Sequence, residues 1–434
     1  MTRYLGGLIT KDESLVIPAN NFEDTSAPGV WTLEEAQALN KQGLWPTAGV
    51  VDPAKFVENI FSVDTYLGIG GNLTVTTGVD TLNEGGLIWI KDRDNSISSG
   101  LFDTVRGTNQ QLLSNTSGAS EDGSGANNRL YEFTSTGFKV GDHDFGGNNI
   151  EFVAWTFRKA SKFFDVVGYT GDNSSSARNI AHSLGQAPGM IIIKRYSDAG
   201  YGWYVWHRSL SDGYWLSLNS TDAQTNASGV PLFGNNDQQT STHFQLQATN
   251  ANVNLFNASG VSYIAYLFGH DTSSDGMIQC GTFDLAGDGA ASINLGFEAQ
   301  FIIMKDYEAS ASWYMFDTLR GMNHDFRENL YPNLNNAADI TTTDDTIFPT
   351  PTGFEITTSF GNNKYIYMAI RKGPMQTPTS RANVFEVAYP TGAASGKPDF
   401  KTTTFPVDLA LRTDDLSGGA QTFVQDRLRG TKAG

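Results

Sequence analysis

Apolar residues in this chain fall into short runs separated by polar, Gly- and Asn-rich stretches. Three runs are apolar at nearly every position and end on a base: Leu87-Ile88-Trp89-Ile90-Lys91, Met190-Ile191-Ile192-Ile193-Lys194 and Phe301-Ile302-Ile303-Met304-Lys305. Runs this short and apolar on both faces predict central β-strands buried on both sides. Three aromatic runs have the same character: Phe152-Val153-Ala154-Trp155-Thr156-Phe157, Tyr263-Ile264-Ala265-Tyr266-Leu267-Phe268 and Tyr365-Ile366-Tyr367-Met368-Ala369-Ile370. In the second of these, alternation places Tyr263, Ala265 and Leu267 on one face and Ile264, Tyr266 and Phe268 on the other. The intervening stretches predict turns. The pattern is that of an all-β chain.

The runs recur in a fixed order. Lys91, Lys194 and Lys305 stand 103 and 111 residues apart. Leu101-Phe102-Asp103-Thr104-Val105-Arg106-Gly107 matches Met315-Phe316-Asp317-Thr318-Leu319-Arg320-Gly321, each Asp 12 residues beyond its lysine. The middle copy departs, with Trp206-His207-Arg208 near that position. Leu112-Leu113-Ser114-Asn115 is echoed by Leu216-Ser217-Leu218-Asn219, and Thr136-Gly137-Phe138 by Thr352-Gly353-Phe354. Solenoid and propeller units are much shorter than this period, which matches a sandwich domain. The sequence therefore predicts three tandem antiparallel β-sandwich repeats, jelly-roll or lectin-like, over 61–160, 161–273 and 274–373. Residues 374–434 are a linker and the start of a fourth copy: Phe405–Arg412 resembles an opening strand, and Asp426 and Arg429 repeat the Asp–Arg landmark. Half a sandwich exposes strand edges, so the expectation is a longer natural chain or a contact with a neighbour. Residues 1–60 belong to no repeat. They carry strand-like Leu8-Ile9-Thr10 and Leu15-Val16-Ile17, and a capping-box start at Thr32 and Glu35. A segment this short is expected to dock onto another body or to pack as a strand or arm on the first sandwich.

Composition narrows the function classes. The net charge is −17 and no basic run is present, which disfavours nucleic acid and an anionic membrane surface as partners. One cysteine, Cys280, excludes an internal disulfide and a multi-cysteine zinc site; burial as a small hydrophobe is its expected role. The N-terminus lacks the apolar core of a signal peptide, and no apolar run reaches the roughly 18 residues of a membrane span. Synthesis in a cytoplasm without membrane insertion is the expectation.

Candidate chemistry is sparse. The six histidines show no zinc-binding spacing, and there is no phosphate loop or nucleophile elbow. No catalytic residue, cofactor or metal ligand is assigned. Two acidic turns, Asp92-Arg93-Asp94-Asn95 and Asp284 to Asp288, are the places where a loop-bound calcium would sit, although neither has EF-hand spacing; a polar turn is the simpler reading. Asp103 with Arg106, Asp317 with Arg320, and Asp426 with Arg429 read as a turn motif in which carboxylate and guanidinium satisfy backbone groups and each other. The aromatic stretch Tyr201, Trp203, Tyr204, Trp206, Tyr214 and Trp215 is the candidate glycan or contact surface, with one alternating face expected in a core.

The segments "LIWIKDRD…FDTVRG", "IAHSLGQAPGMIIIKR", "SYIAYLF" and "FIIMKDYE…FDTLRG" resemble a repeat-domain family of marine and cyanobacterial phage virion proteins, over residues 61 to about 373 and again at 405–431. The "GGLITKD" opening and the "GLWP" segment resemble the N-termini of phage tail appendage proteins. The resemblance implies a non-enzymatic virion protein, a tail fibre or tail appendage subunit in host attachment. It would be a homo-oligomer held to other virion proteins by residues 1–60, with a host-surface glycan or protein as outer partner. A capsid-attached fibre or decoration protein is the alternative. A surface-glycan depolymerase is a further one, which would need a carboxylate pair in a cleft.

Overall fold

The computed structural model describes residues 53–373 apart from 124–128, 227–231, 248–251, 286–288, 323–326, 342–345 and 358–362. It also describes Gln37, Phe385, Val387, 409–413 and 422–426. The strands and capping box expected within residues 1–50 lie outside the described residues, as does the expected helix apart from Gln37, which is helical. The chain divides into two compact units, Met1–Lys55 and Phe56–Gly434; all that follows concerns the second.

The fold is mostly β, and every strand pair is antiparallel. A first segment comprises β1 (Phe61–Leu67), β2 (Leu73–Thr76), β3 (Gly86–Asp92), β4 (Gly100–Asp103), β5 (Gln110–Leu113), β6 (Glu121–Asp122), β7 (Leu130–Thr134), β8 (Gly137–Val140) and β9 (Glu151–Arg158). A second comprises β10 (Phe164–Thr170), β11 (Ala177–Ala181), β12 (Met190–Arg195), β13 (Trp203–His207), β14 (Leu216–Ser217), β15 (His243–Gln247) and β16 (Ser262–Phe268). A third comprises β17 (Ile278–Asp284), β18 (Ala290–Asn294), β19 (Ala299–Asp306), β20 (Trp313–Asp317), β21 (Arg327–Asn329), β22 (Asp339–Thr341), β23 (Thr346–Thr350), β24 (Gly353–Thr357) and β25 (Lys364–Arg371). A separate hairpin pairs β26 (Leu409–Thr413) with β27 (Thr422–Asp426).

One strand order recurs in the large sheets: β1-β9-β3-β4-β5-β6, β10-β16-β12-β13-β14 and β17-β25-β19-β20. In each, the aromatic closing strand lies between the segment's first strand and its apolar opening strand. Smaller sheets accompany them: β2-β8-β7, β11-β15 and β18-β24-β23. The opening hairpins also share a register, with Leu87 opposite Asp103, Met190 opposite His207 and Phe301 opposite Asp317.

Both faces of each large sheet are buried, for two different reasons. One face packs within its own segment. Ile88, Ile90, Phe102, Phe152 and Ala154 meet Val75, Phe138 and Val140 from the small sheet, and the equivalents Ile191, Ile193 and Ala265, and Ile302, Met304 and Ala369, do the same. The opposite face carries Leu87, Trp89 and Phe157, then Met190, Ile192 and Phe268, then Phe301, Ile303 and Ile370, all at most 2% exposed. These residues meet across segments. Phe157 lies 5.6 Å from Phe164, 5.5 Å from Phe268 and 6.1 Å from Phe301 between ring centroids. A central core between the three large sheets therefore explains why the opening runs are apolar at successive positions.

Three backbone hydrogen bonds close these segments into a ring. Ser120 N–H donates to Tyr196 O (2.8 Å), Gln224 N–H to Tyr307 O (2.8 Å) and Ala338 N–H to Arg93 O (2.9 Å). Each acceptor stands two residues beyond its segment's lysine. The first segment thus bonds to the second, the second to the third and the third to the first. A contact of this kind, repeated head to tail, closes when its rotation divides a full turn.

Candidate functional site

The Asp–Arg landmark sits where β4 and β20 end, against the central core. Asp103 Oδ1 accepts from the N–H groups of Val105 (3.1 Å) and Arg106 (2.9 Å), and Oδ2 accepts from Arg106 Nε (2.5 Å). Arg106 then donates to Gln110 O (2.8 Å) and Leu101 O (2.9 Å). Gly107 holds φ +91, a conformation that favours glycine. Asp317 and Arg320 repeat the arrangement, with Oδ1 accepting from Arg320 N–H (2.9 Å), Oδ2 from Nε (2.6 Å), and Gly321 at φ +121. Both ion pairs are buried. Burial opposes the Arg106 charge, but Asp103 and the Tyr266 hydroxyl outweigh it and raise the guanidinium's pKa above its ordinary value.

Each carboxylate also takes a donor from the closing strand of another segment. Tyr266 OH donates to Asp103 Oδ2 (2.8 Å), and Trp155 Nε1 donates to Asp317 Oδ2 (3.0 Å). Tyr266 and Trp155 occupy one position of the closing strand, opposite Ile192 and Trp89, and the third segment places Met368 there, opposite Ile303. Methionine has no proton to donate. The partner segment answers this: His207 stands at the Asp position, and Leu210 at the Arg position. The whole ion pair is absent where its cross-segment donor is absent. His207 Nδ1 accepts from Ser209 N–H (3.2 Å), which leaves Nε2 to donate to Tyr367 O at 3.0 Å.

Burial drives the pKa of His207 down to about 4, against a smaller upward pull from the Tyr367 carbonyl. The sign follows directly. Below an ordinary histidine pKa of about 6.5 the unfolded chain takes up a proton that folded His207 refuses, so its share of stability falls as pH drops from about 6.5 to 4. The expected loss is about 3 kcal/mol over that window. Urea unfolding at pH 7.5 and 4.5 tests this, since His207→Gln keeps a donor for Tyr367 O and should shrink the difference between the two pH values. An unchanged difference would exclude His207 as its source.

Three lysines, which nothing in the sequence marked as functional, are buried at equivalent positions, and Lys91 and Lys305 reach across junctions. Lys91 Nζ donates to Ile97 O (2.5 Å) and to Asn335 O of the third segment (3.3 Å). Lys305 Nζ donates to Asp306 O (2.5 Å), Ala309 O (3.3 Å) and, in the second segment, Thr221 O (3.3 Å). Lys194 bonds Tyr201 O and lies 5.8 Å from the Trp203 ring centroid. Burial lowers each pKa to about 8, against nearby carboxylates of Asp92, Asp198, and Asp306 with Asp222, respectively. Trp203 Nε1 donates to Leu113 O of the first segment (3.0 Å), and Trp313 Nε1 to Ser217 O of the second (2.9 Å).

The aromatic stretch divides by burial. Trp203, Tyr204 and Trp206 are buried: Trp203 in the central core, Tyr204 and Trp206 in the core of the second segment. Tyr201, Tyr214 and Trp215 are half-buried. Tyr201 lies under the Arg195 guanidinium at 3.7 Å, and Trp215 meets Tyr204 edge-on at 5.2 Å. Of the two acidic turns, Asp92 Oδ1 accepts from Asp94 N–H (2.9 Å) and Asn95 N–H (2.8 Å), and Asp94 Oδ2 from Glu151 N–H (2.8 Å); Asp288 lies outside the described residues. Among the described residues no group of three potential metal ligands converges. Cys280 is buried, with Sγ 3.5 Å from Gly269 O, and burial pushes its thiol pKa well up. Asp426 lies on β27, and Arg429 lies outside the described residues.

A family described as a domain of unknown function, DUF7483, matches residues 52–374. The chain belongs to this family. The matched stretch runs from just before the first segment to just beyond the third, so one DUF7483 domain takes in the whole ring. No curated protein matches the chain.

Proposed function

We propose that this DUF7483 chain is a non-catalytic structural subunit of a bacteriophage virion, placed in a tail fibre or tail appendage and contributing to host attachment. In this reading the three segments are tandem copies of one β-sandwich, jelly-roll or lectin-like, and residues 1–60 dock the chain onto other virion proteins. The observation that carries the reading is the use made of the Asp–Arg landmark. Asp103, Arg106, Asp317 and Arg320 bond turns and neighbouring segments to one another, and their polar atoms face partners inside the fold instead of a cleft. Rigid joining of three small sandwiches suits a body that transmits force and displays surface. The resemblance of the repeat motifs to those of phage virion repeat domains supports the setting. Tyr201, Tyr214 and Trp215, half-buried, are the aromatic positions available for a host glycan or protein, where many weak contacts add through copy number.

Gold-labelled antibody raised against the chain and applied to purified phage particles tests the reading. Label on the tail or its fibres is the expected result. Label on the capsid shell replaces it with a head fibre or decoration protein. Particles without label, together with release of reducing sugar from host polysaccharide by the purified chain, replace it with a depolymerase.

A further inference from the structure

The three joints of the ring are not built alike. Ion pairs and aromatic rings hold the first segment to both of its neighbours. Arg93 binds Glu328 of the third segment at 2.7 Å, and Tyr266 of the second joins the Asp103–Arg106 pair. Phe157 meets Phe268, and Trp155 meets Phe301 at 6.2 Å. Among the described residues no salt bridge and no pair of aromatic rings joins the second segment to the third. Hydrogen bonds serve that joint instead: Gln224 N–H to Tyr307 O, Ala311 N–H to Thr221 O (2.9 Å), Lys305 Nζ to Thr221 O and Trp313 Nε1 to Ser217 O.

The same joint holds two histidines. His207 reaches Tyr367 O through Nε2 while Nδ1 accepts from Ser209 N–H. His270 Nδ1 accepts from Cys280 N–H of the third segment at 3.1 Å. Three other histidines have their partners within one segment: His143 beside Asp144, and His182 and His243 on Thr240. A proton on Nδ1 turns that acceptor into a donor. In both rings it would set two N–H groups against each other and leave a backbone donor without its acceptor.

The surroundings offer His207 no compensation. Among the described residues Arg208 is the charged group that bears on it, and it opposes a second positive charge. Met190 stands opposite on β12. From the third segment come Tyr367 on β25 and Cys280 on β17, and burial raises the pKa of both, so neither carries charge in acid. Next to His270, the Asp271 carboxylate is already engaged by Ser273 N–H (3.0 Å) and Lys162 (3.5 Å), and Arg371 bonds Ser274 O (2.6 Å) on the same loop.

We propose that the joint between the second and third segments is an acid-sensitive hinge: protonation of His207 and His270 releases it, and the ring opens there while its other two joints stay closed. The ring then becomes an open row with the first segment in the middle. This rests on the closed ring and not on the proposed virion function.

Hydrogen exchange of the full chain at pH 7.5 and 4.5, read by mass spectrometry and corrected for the intrinsic effect of pH, tests the hinge. His207 takes up its proton at about pH 4 when packed and about 6.5 when released, so opening should be on the order of 50-fold easier at pH 4.5. Exchange at Gln224, Ala311 and Cys280 should rise by that factor, whereas Ser120 and Ala338 should keep their protection. In His207→Gln/His270→Asn, whose amides supply acceptor and donor without titrating, all five should stay protected at pH 4.5. Equal loss at all five amides, or no loss at Gln224, Ala311 and Cys280, overturns the proposal, as does an unchanged loss in the double variant. The wild-type comparison decides by itself if the double variant does not fold.

Discussion

Asp103→Ala should lower the stability of the folded chain by about 3–5 kcal/mol, the range for breaking one partner out of a buried ion pair. The substitution leaves the Arg106 guanidinium, 1% exposed, without its counter-charge. It also removes the acceptor for Tyr266 OH and for the Val105 and Arg106 N–H groups. Two of these losses are local and one crosses to the second segment, so the change weakens both the turn and the junction. The second segment indicates how the same place is held without charge. Asp103→His with Arg106→Leu transplants the His207 and Leu210 solution, leaves no buried charge unpaired and should lose less than Asp103→Ala alone. Urea unfolding at pH 7.5 measures both. A loss below about 1 kcal/mol for Asp103→Ala, typical of an exposed pair, would contradict the role assigned to the landmark.

Phe157→Ala should be comparably damaging, at about 3–5 kcal/mol for a large aromatic removed from a packed core. Phe157 is 1% exposed. Its ring lies against Phe61 at 5.0 Å in its own segment, Phe164 and Phe268 in the second, and Phe301 in the third. The substitution therefore opens a cavity bordered by aromatic rings from all three segments. Phe138→Ala, from the core of the first segment alone, is the comparison. It should destabilise without loosening the junctions, whereas Phe157→Ala should also speed hydrogen exchange at the amides of Ser120, Gln224 and Ala338. Slow exchange at these amides in Phe157→Ala would show that the ring holds without the central core.

Much of this was legible in the sequence. Runs apolar at successive positions announced strands buried on both faces, and the recurrence of "FDT-x-RG" marked a turn whose polar groups satisfy one another. The sequence did not reveal what covers the second face. Alternation along Trp203 to Trp206 suggested one core face and one face for a glycan or an inter-domain contact. In the fold both faces are covered, because Trp203 and Val205 turn toward the other large sheets while Tyr204 and Trp206 fill their own. The departure at His207 was visible, but its reason depends on Met368, 161 residues further on, which meets the rule only in three dimensions. The three lysines looked like ordinary strand-end bases. Their burial follows from carbonyls supplied by loops such as Thr221 and Asn335, and no local pattern encodes that. In β26–β27, the letters of the landmark were readable, whereas the register that sets Leu409 opposite Asp426 was not.

The closed ring is the centre of this account, and scanning calorimetry of the full chain tests it most directly. Unfolding enthalpy near 60 °C is about 0.7 kcal/mol per residue, so a cooperative unit spanning the three segments should show a van't Hoff enthalpy of about 200 kcal/mol in one main transition. Separate units of about 100 residues would each show roughly 70 kcal/mol, in transitions that a scan resolves or broadens. A single main transition whose van't Hoff and calorimetric enthalpies agree is the result expected. Three overlapping transitions of about 70 kcal/mol each would mean that the segments fold as independent beads and that the ring of bonds from Ser120, Gln224 and Ala338 does not hold them together.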